Sequence, residues 1–248
     1  MSLSRFVVAL SVAVASSLPG AARAQHTHVD HSGDHDAIHA AEMKARAAHM
    51  EMTPRRAMTR ADSVRAAQIV KELRAGIAKY RDVSVAVEDG FKQFAPRIKD
   101  QPVYHFTSNK SAVANAFRFD PAKPTSLLYR KDSAGKFVLI GAMYTAPKRF
   151  SADKLNSRVP LSVAQWHKHI NWCLPPKGEN ARWLEQRDGH AVFGPLGVAT
   201  RAECESAGGR FVKEAFGWMV HANVFASNDP RVIWGDDHAM HGDEMMEH

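Results

Sequence analysis

The 248-residue sequence predicts one α+β domain, in which a mostly antiparallel sheet or small β-barrel packs against one long N-terminal amphipathic helix. Two observations predict this fold class. Apolar residues first recur in steps of four and three, and beyond residue 101 they recur in strand-like segments. These segments do not alternate with helices, which argues against a parallel βαβ arrangement. The domain is expected to span residues 59–235.

The long helix is expected over residues 59–91. Thr59 and Asp62 have the spacing of a capping box, which satisfies the first backbone N–H groups of a helix. One apolar stripe follows, formed by Leu73, Ile77, Tyr80, Ser84, Val87 and Phe91. Such a stripe fits packing against a sheet, and it also permits a dimer.

Strands are expected at residues 103–106, 126–129, 136–144, 163–173 and 217–225. A turn over residues 132–135 joins the second and third of them as a hairpin. A short helix is expected at 151–156. Thr200 and Glu203 form a further capping box, which opens a short helix carrying Cys204.

Residues 1–24 have the features of a secretory signal peptide. Arg5 gives a basic start, residues 6–18 are apolar, and Ala22 and Ala24 provide the small residues of a cleavage site. The apolar run is too short to anchor the mature protein in a bilayer. The expected product is periplasmic or extracellular, without membrane insertion. The full 248-residue chain has a formal charge of +7 from scattered residues, so nucleic acid is not an expected partner.

The chain has two cysteines, Cys173 and Cys204. Two cysteines in an oxidising compartment most often form one disulfide. The alternative makes Cys173 a thiolate metal ligand beside His169 and Asn171, and both interpretations stay open at this point.

Both ends of the chain are rich in histidine and methionine. Residues 25–58 and 236–248 hold nine of the 14 histidines and too few apolar residues for a core, so both segments are expected to be disordered. Imidazole suits Cu(II) and Zn(II), whereas thioether sulfur selects Cu(I). The tails therefore predict labile metal binding, copper first, by His26, His28, His31, His35, His39, Met50, Met52, His238, Met240, His241, Met245 and Met246.

A second candidate site lies on the predicted strands. His167 and His169 are two residues apart, so an extended strand places both on one face with Asn171 and Cys173, and Trp172 on the other. His105 and His221 also lie on predicted strands, whereas His190 falls beside a turn. Neighbouring strands would let His105, His167, His169 and His221 share one zinc, copper or iron ion. The alternative is that each histidine hydrogen-bonds separately inside the fold.

The residues around these histidines refine the metal hypothesis. Met219 falls on the His221 face and would favour copper. Tyr104, Asn171 and Asn223 are candidates for orienting the imidazole rings by hydrogen bonds.

Three functions fit these patterns. The favoured one is an exported metal-binding protein that binds, buffers or delivers copper, with zinc or iron as alternatives and another periplasmic metal-handling protein as a partner. A barrel-type metalloenzyme is less favoured because Asp and Glu are absent from the three histidine-bearing strands. The third is a module for a non-metal ligand, with a groove formed by Trp166, Trp172, Trp218 and Phe225.

Several short motifs in order give a family resemblance. They are Lys79 to Asp82, Asp89 to Phe91, Val103 to Phe106, Leu127 to Tyr129, Trp166 with His167, and Gly217 to His221. In this order they resemble an uncharacterised family of exported bacterial proteins. The likeness covers roughly residues 65–235 and leaves out both tails. It supports the domain boundary and implies no specific activity.

Overall fold

The computed structural model describes residues 47–96 and 98–235, all within one compact unit. The predicted signal peptide, residues 25–46 of the predicted N-terminal tail and the whole predicted C-terminal tail lie outside these residues. In the part of the chain that is described, no helix is long and apolar enough to cross a membrane.

The first helix begins where the sequence predicts. Helix α1 spans Arg60–Ile77, and the Thr59 hydroxyl accepts a hydrogen bond from the Asp62 backbone N–H. Its buried face is formed by Ala66, Ile69, Val70, Leu73 and Ile77. The predicted continuation to residue 91 as one helix is wrong, because a 3₁₀ turn at Ala78–Arg81 separates α1 from helix α2 at Val83–Glu88. Asp82 starts this second helix by accepting the Ser84 N–H, the kind of local bond by which aspartate competes with a continuous helix.

Antiparallel pairing joins eight strands into one sheet. They are β1 (Met50–Met52), β2 (Lys92–Gln93), β3 (Tyr104–Thr107), β4 (Ser126–Lys131), β5 (Phe137–Ala146), β6 (His167–Leu174), β9 (Arg210–Glu214) and β10 (Trp218–Ala222). The order is β1-β6-β10-β5-β4-β3-β2, and β9 also pairs with β6. Strands β7 (Gln186–Arg187) and β8 (His190–Ala191) form a separate hairpin. The described strands leave the sheet open, so the antiparallel-sheet prediction is confirmed and the barrel alternative is wrong.

Short helices complete the domain. They are α3 (Asn109–Phe117), α4 (Ala152–Asn156), α5 (Arg201–Ser206), α6 (Pro230–Ile233) and a 3₁₀ helix at Asn180–Leu184. The predicted capping box at Thr200 is confirmed, since its hydroxyl accepts the Glu203 N–H at the start of α5.

One face of the sheet forms the main core with α1. Alternate residues of the central strands point to this face, and they include Phe106, Leu127, Tyr129, Tyr144, Val220 and Ala222. Trp166 is fully buried in the same core. The opposite residues of these strands, among them Leu128, Met143 and Met219, form a smaller apolar cluster on the second face. The second face carries the predicted histidines.

The N-terminal boundary of the ordered domain lies before the predicted residue 59. Strand β1 pairs with β6, and the imidazole of His49 is buried, with its Nε2 2.8 Å from the Gly197 carbonyl oxygen. Residues 47–58 therefore pack on the domain, although the sequence assigns them to a disordered tail.

A disulfide joins Cys173 at the end of β6 to Cys204 in α5. The disulfide prediction is confirmed, and the alternative role of Cys173 as a thiolate ligand is wrong. Both cysteines are buried in a second small core with Val192, Phe193 and Ala207. The covalent bond therefore lies at the centre of a core that contains few residues.

Candidate metal centre

The pairing of β10 with its two neighbours fixes which side chains share the second face. Directly opposite residues of antiparallel strands project to the same side. His221 lies opposite Met143 of β5, and Met219 lies opposite His167 of β6. These four side chains therefore lie together on the face away from α1.

The four predicted histidines form a row on this face. Ring centroids are 5.6 Å apart for His105 and His221, 5.2 Å for His221 and His167, and 5.5 Å for His167 and His169. The structure thus brings together residues from β3, β10 and β6. Binding of metal by them remains a prediction.

The short distance between the His105 and His221 rings shows that the sheet is curled. Strands β4 and β5 lie between β3 and β10 in the sheet order, so a flat sheet would hold the two backbones about 14 Å apart at about 4.8 Å per strand. Their rings nevertheless lie 5.6 Å apart. The histidine row therefore occupies the concave side, and a register shift between Leu128 and Tyr129 adds local twist to the sheet.

Strand β1 adds two methionines to this face. Met52 lies opposite His167, and Met50 lies opposite His169. Between them, Glu51 lies opposite Lys168, and the Lys168 Nζ is 3.1 Å from a Glu51 carboxylate oxygen on the other face of the sheet. This ion pair agrees with the alternation of side chains along β1, which places Glu51 on the opposite face of the sheet from Met50 and Met52. Met50 and Met52, assigned by sequence to a labile tail, are thus positioned by the sheet.

We refer to these side chains as the His/Met face, which comprises His105, His167, His169, His221, Met50, Met52, Met143 and Met219. Its centre is more buried than its ends. His167 is 2% exposed and His221 is 6% exposed, whereas His105 and His169 are half-buried. The centre therefore offers the drier environment.

A small cavity lies at this centre. Its volume is about 40 Å³, and its wall is formed by Met52, Arg55, Gln165, His167, Val220, His221, Trp234 and Gly235. An imidazole nitrogen binds a metal at about 2.0–2.1 Å, so two rings on one tetrahedral ion have centroids about 5 Å apart. The 5.2 Å separation of His167 and His221 matches this value. His167, His221 and Met52 thus border a space little larger than one water molecule, beside the Arg55 guanidinium, which donates to the Gln165 side-chain oxygen.

Among residues 47–96 and 98–235, no three or more His, Cys, Asp or Glu side chains form a group that could hold a metal ion. The histidine rings follow one another in a row, in the order His105, His221, His167, His169, and do not surround one point. A single ion held by all four, as the sequence suggested, does not fit this arrangement. The residues directly opposite His167 in the two flanking strands are methionines, Met52 and Met219.

Asn171 interrupts the regular alternation of side chains between the two faces of β6. Its φ of +55° lies in the left-handed region, and its side-chain amide donates a hydrogen bond to the Ala48 carbonyl oxygen. The Trp172 ring consequently lies 5.2 Å from the His169 ring. The prediction that places Trp172 on the opposite face from His169 is wrong for this reason.

We expect Asn171→Ala to lower the free energy of unfolding by about 1–2 kcal/mol, because alanine is strained in the left-handed region and loses the hydrogen bond. Asn171→Gly is the matched control, since it loses the same bond but accepts the backbone conformation. Urea denaturation of both variants tests this explanation. Equal stabilities would show that the left-handed conformation does not matter.

A larger cleft adjoins the His/Met face. Its volume is about 700 Å³. Its wall includes Phe94, His105, Thr107, Asn109, Ala112, Ala116, Thr125, Met143, Thr145, Lys148, Arg149, His169, Trp172, Phe216, Met219 and His221. We call it the second-face cleft. It contains no Asp or Glu among the described residues that line it.

The other residues that the sequence predicts for the site lie elsewhere in the fold or bond to other groups. Trp166, Trp218 and Phe225 pack in the main core, so the predicted aromatic groove retains only Trp172. The Tyr104 hydroxyl donates to the Lys99 carbonyl oxygen, and Asn171 bonds to Ala48, so neither makes the predicted bond to an imidazole. His190 is exposed on β8.

No protein-family model, curated protein or solved structure matches this chain. Its function is therefore inferred from the side chains of the site.

Proposed function

We propose that the chain is an exported copper-binding protein whose folded site is the small cavity lined by Met52, His167 and His221. The observation that carries this proposal is that the His167 and His221 rings, with centroids 5.2 Å apart, line one cavity together with Met52 of a third strand. Met219 lies on the other side of His167, directly opposite it in β10. His167 therefore has a methionine neighbour on each flanking strand.

The donor set favours copper over the alternatives. Thioether sulfur is a soft ligand that selects Cu(I), whereas zinc sites use cysteine, histidine and carboxylate. Non-haem Fe(II) sites typically add a carboxylate to two histidines. Of the described residues lining the small cavity, none is Asp or Glu. Zinc and iron are thus the weaker candidates.

Within residues 47–96 and 98–235 no carboxylate lines the small cavity, and this favours binding over catalysis. A hydrolytic metalloenzyme uses a general acid or base beside its metal-bound water. Glu51, next to Met52 in the sequence, is paired with Lys168 on the opposite face. The favoured activities are binding, buffering or delivery of copper to another metal-handling protein. Residues 25–46 and 236–248 supply further histidines and methionines for this role.

Export is part of the same proposal. The Cys173–Cys204 disulfide supports it, because such bonds persist mainly in oxidising compartments. The signal-like features of residues 1–24 give independent support. The motifs that resemble an exported bacterial family also fall largely on strands β3, β4, β6 and β10 of the sheet. Cell fractionation with mass measurement of the mature chain tests export, and a cytoplasmic full-length chain would contradict it.

The metal site is tested by titrating residues 25–248 with Cu(I) against a chromogenic competing chelator that suppresses weak binding. We expect one tight equivalent. His167→Ala and His221→Ala should each weaken it by about 100-fold, since even removal of residues that only support a ligand costs about 10–100-fold. His190→Ala is the matched control, because this exposed histidine lies in the β7–β8 hairpin. Unchanged affinity in both cavity variants would contradict the proposal.

The variant Met52→Leu tests whether the site prefers Cu(I) to Zn(II), because leucine has nearly the same volume as methionine but no sulfur. We expect a loss of roughly tenfold in Cu(I) affinity with little change in Zn(II) affinity. Met58→Leu is the control, since Met58 is also exposed and lies outside the small cavity. Equal effects of Met52→Leu and Met58→Leu would exclude the thioether as a ligand.

A further inference from the structure

The second-face cleft has the size of a site for an organic molecule. Small-molecule sites usually have volumes of about 300–1,000 Å³ and combine an apolar wall with a few polar groups. The volume of about 700 Å³ lies within this range. It greatly exceeds the space that a metal ion needs, so the copper site does not account for it.

Three aromatic rings form one wall of the cleft. The Phe216 ring packs edge-to-face on Trp172 at 5.4 Å and on Phe94 at 5.9 Å. These contacts hold the rings in defined positions without a ligand. Phe94 is nevertheless 47% exposed and Phe216 is 37% exposed. A preformed and uncovered aromatic wall favours a planar aromatic ligand.

The cleft also carries hydroxyl groups that can donate to a ligand. The hydroxyls of Thr125 and Thr145 are 2.8 Å apart, as are those of Thr107 and Ser126. When the buried Thr125 and Ser126 donate within their pairs, Thr145 and Thr107, which line the cleft, each keep a proton for another acceptor. Carboxylate and carbonyl oxygens are suitable acceptors.

The charge of the cleft is positive. Arg149 and Lys148 are exposed at its edge. The Lys148 Nζ is 3.9 Å from a Glu214 carboxylate oxygen, whereas Arg149 has no ion pair within residues 47–96 and 98–235. Arginine favours carboxylate ligands because its planar guanidinium can donate two parallel hydrogen bonds.

We propose that the second-face cleft binds a planar aromatic carboxylate, with its ring against Phe94, Trp172 and Phe216 and its carboxylate toward Arg149. This function is additional to copper binding and does not rest on it, because the aromatic wall and the basic edge contain none of the proposed copper ligands. The cleft and the small cavity share only His221 among the proposed ligands.

The test uses 2-naphthoate and its neutral counterpart 2-naphthylmethanol with the mature chain in the presence of a metal chelator. Calorimetry should show 1:1 binding of naphthoate and weaker binding of the alcohol. Arg149→Met should reduce naphthoate affinity by up to about fivefold, the range of an exposed ion pair, and leave the alcohol unaffected. Arg210→Met, an exposed arginine on β9 outside the cleft, is the charge control.

A cleft-filling variant tests the location. Ala116→Phe in α3 should remove binding of both probes, while thermal melting shows whether the domain remains folded. Ala114→Phe serves as the control, because Ala114 is exposed on the same helix and does not line the cleft. Absence of naphthoate binding in the native chain would overturn the proposal. Equal losses in the Arg149 and Arg210 variants, or binding retained in folded Ala116→Phe, would also overturn it. Because metal is chelated throughout, failure of the copper proposal does not alter these outcomes.

Discussion

Replacing Gly141 with alanine is expected to lower the free energy of unfolding by about 3 kcal/mol, at the upper end of overpacking substitutions. A Cβ atom at this position in β5 would lie 2.1 Å from the Ala222 carbonyl oxygen and 2.8 Å from the Asn223 Cα. Both neighbours are backbone atoms at the end of β10, so no flexible side chain can move aside. The strand itself must shift.

The same substitution should weaken copper binding, because His221 immediately precedes Ala222 in β10. Urea denaturation and Cu(I) competition on one preparation measure both effects. Gly135→Ala is the matched control, since Gly135 has a φ of +77° but open space around its missing Cβ. It should cost about 1 kcal/mol through backbone strain and leave copper affinity unchanged. Native stability in Gly141→Ala would show that β10 does not approach β5 so closely.

Local sequence patterns predict the parts of the fold that local interactions determine. The capping boxes at Thr59 and Thr200 begin helices, because each threonine hydroxyl bonds an N–H three residues away. The hairpin of β4 and β5 follows from two apolar segments and the turn at Asp132. These features depend on neighbours in the chain, which the sequence displays directly.

Elements that depend on distant partners are not visible in the sequence. Strand β1 has three residues, Met-Glu-Met, and exists because it pairs with β6 more than 100 positions later. Strand β9 likewise pairs with β6, and helix α3 lacks a marked apolar stripe. The sequence does not predict the break after Ile77, because the apolar stripe continues across it and the Asp82 cap that starts α2 is a single local hydrogen bond.

The candidate site also combines features that the local sequence predicts with features that depend on distant parts of the chain. The pattern His-x-His on β6 predicts that His167 and His169 lie close together, and their rings are in contact. The methionines beside them follow from strand register, which depends on the three-dimensional fold. The place of Trp172 depends on one backbone angle at Asn171. Composition suggested copper through the abundance of methionine, and register identifies which methionines face the histidines.

Removing the disulfide is expected to have the other large effect. Cys173 and Cys204 close a loop with a sequence separation of 31 residues, and a loop of this length stabilises a folded protein by about 3–4 kcal/mol through the unfolded chain. The double variant Cys173→Ala with Cys204→Ala should lose this amount in urea denaturation. Ser206→Ala is the control, an exposed substitution in the same helix. A loss below about 1 kcal/mol would contradict the loop argument.

The loss should be concentrated near the small core, because few buried residues surround the disulfide there. Hydrogen exchange is expected to rise over residues 175–209 and to stay slow in β5 and β10. Copper affinity should remain near its native value, since β1 and β10 still pair with β6 at His167. Lys168, which bonds Glu51 and Glu214, also anchors this end of the strand. If the variant loses copper together with stability, the two ends of β6 are coupled, and the disulfide supports the metal centre as well as the small core.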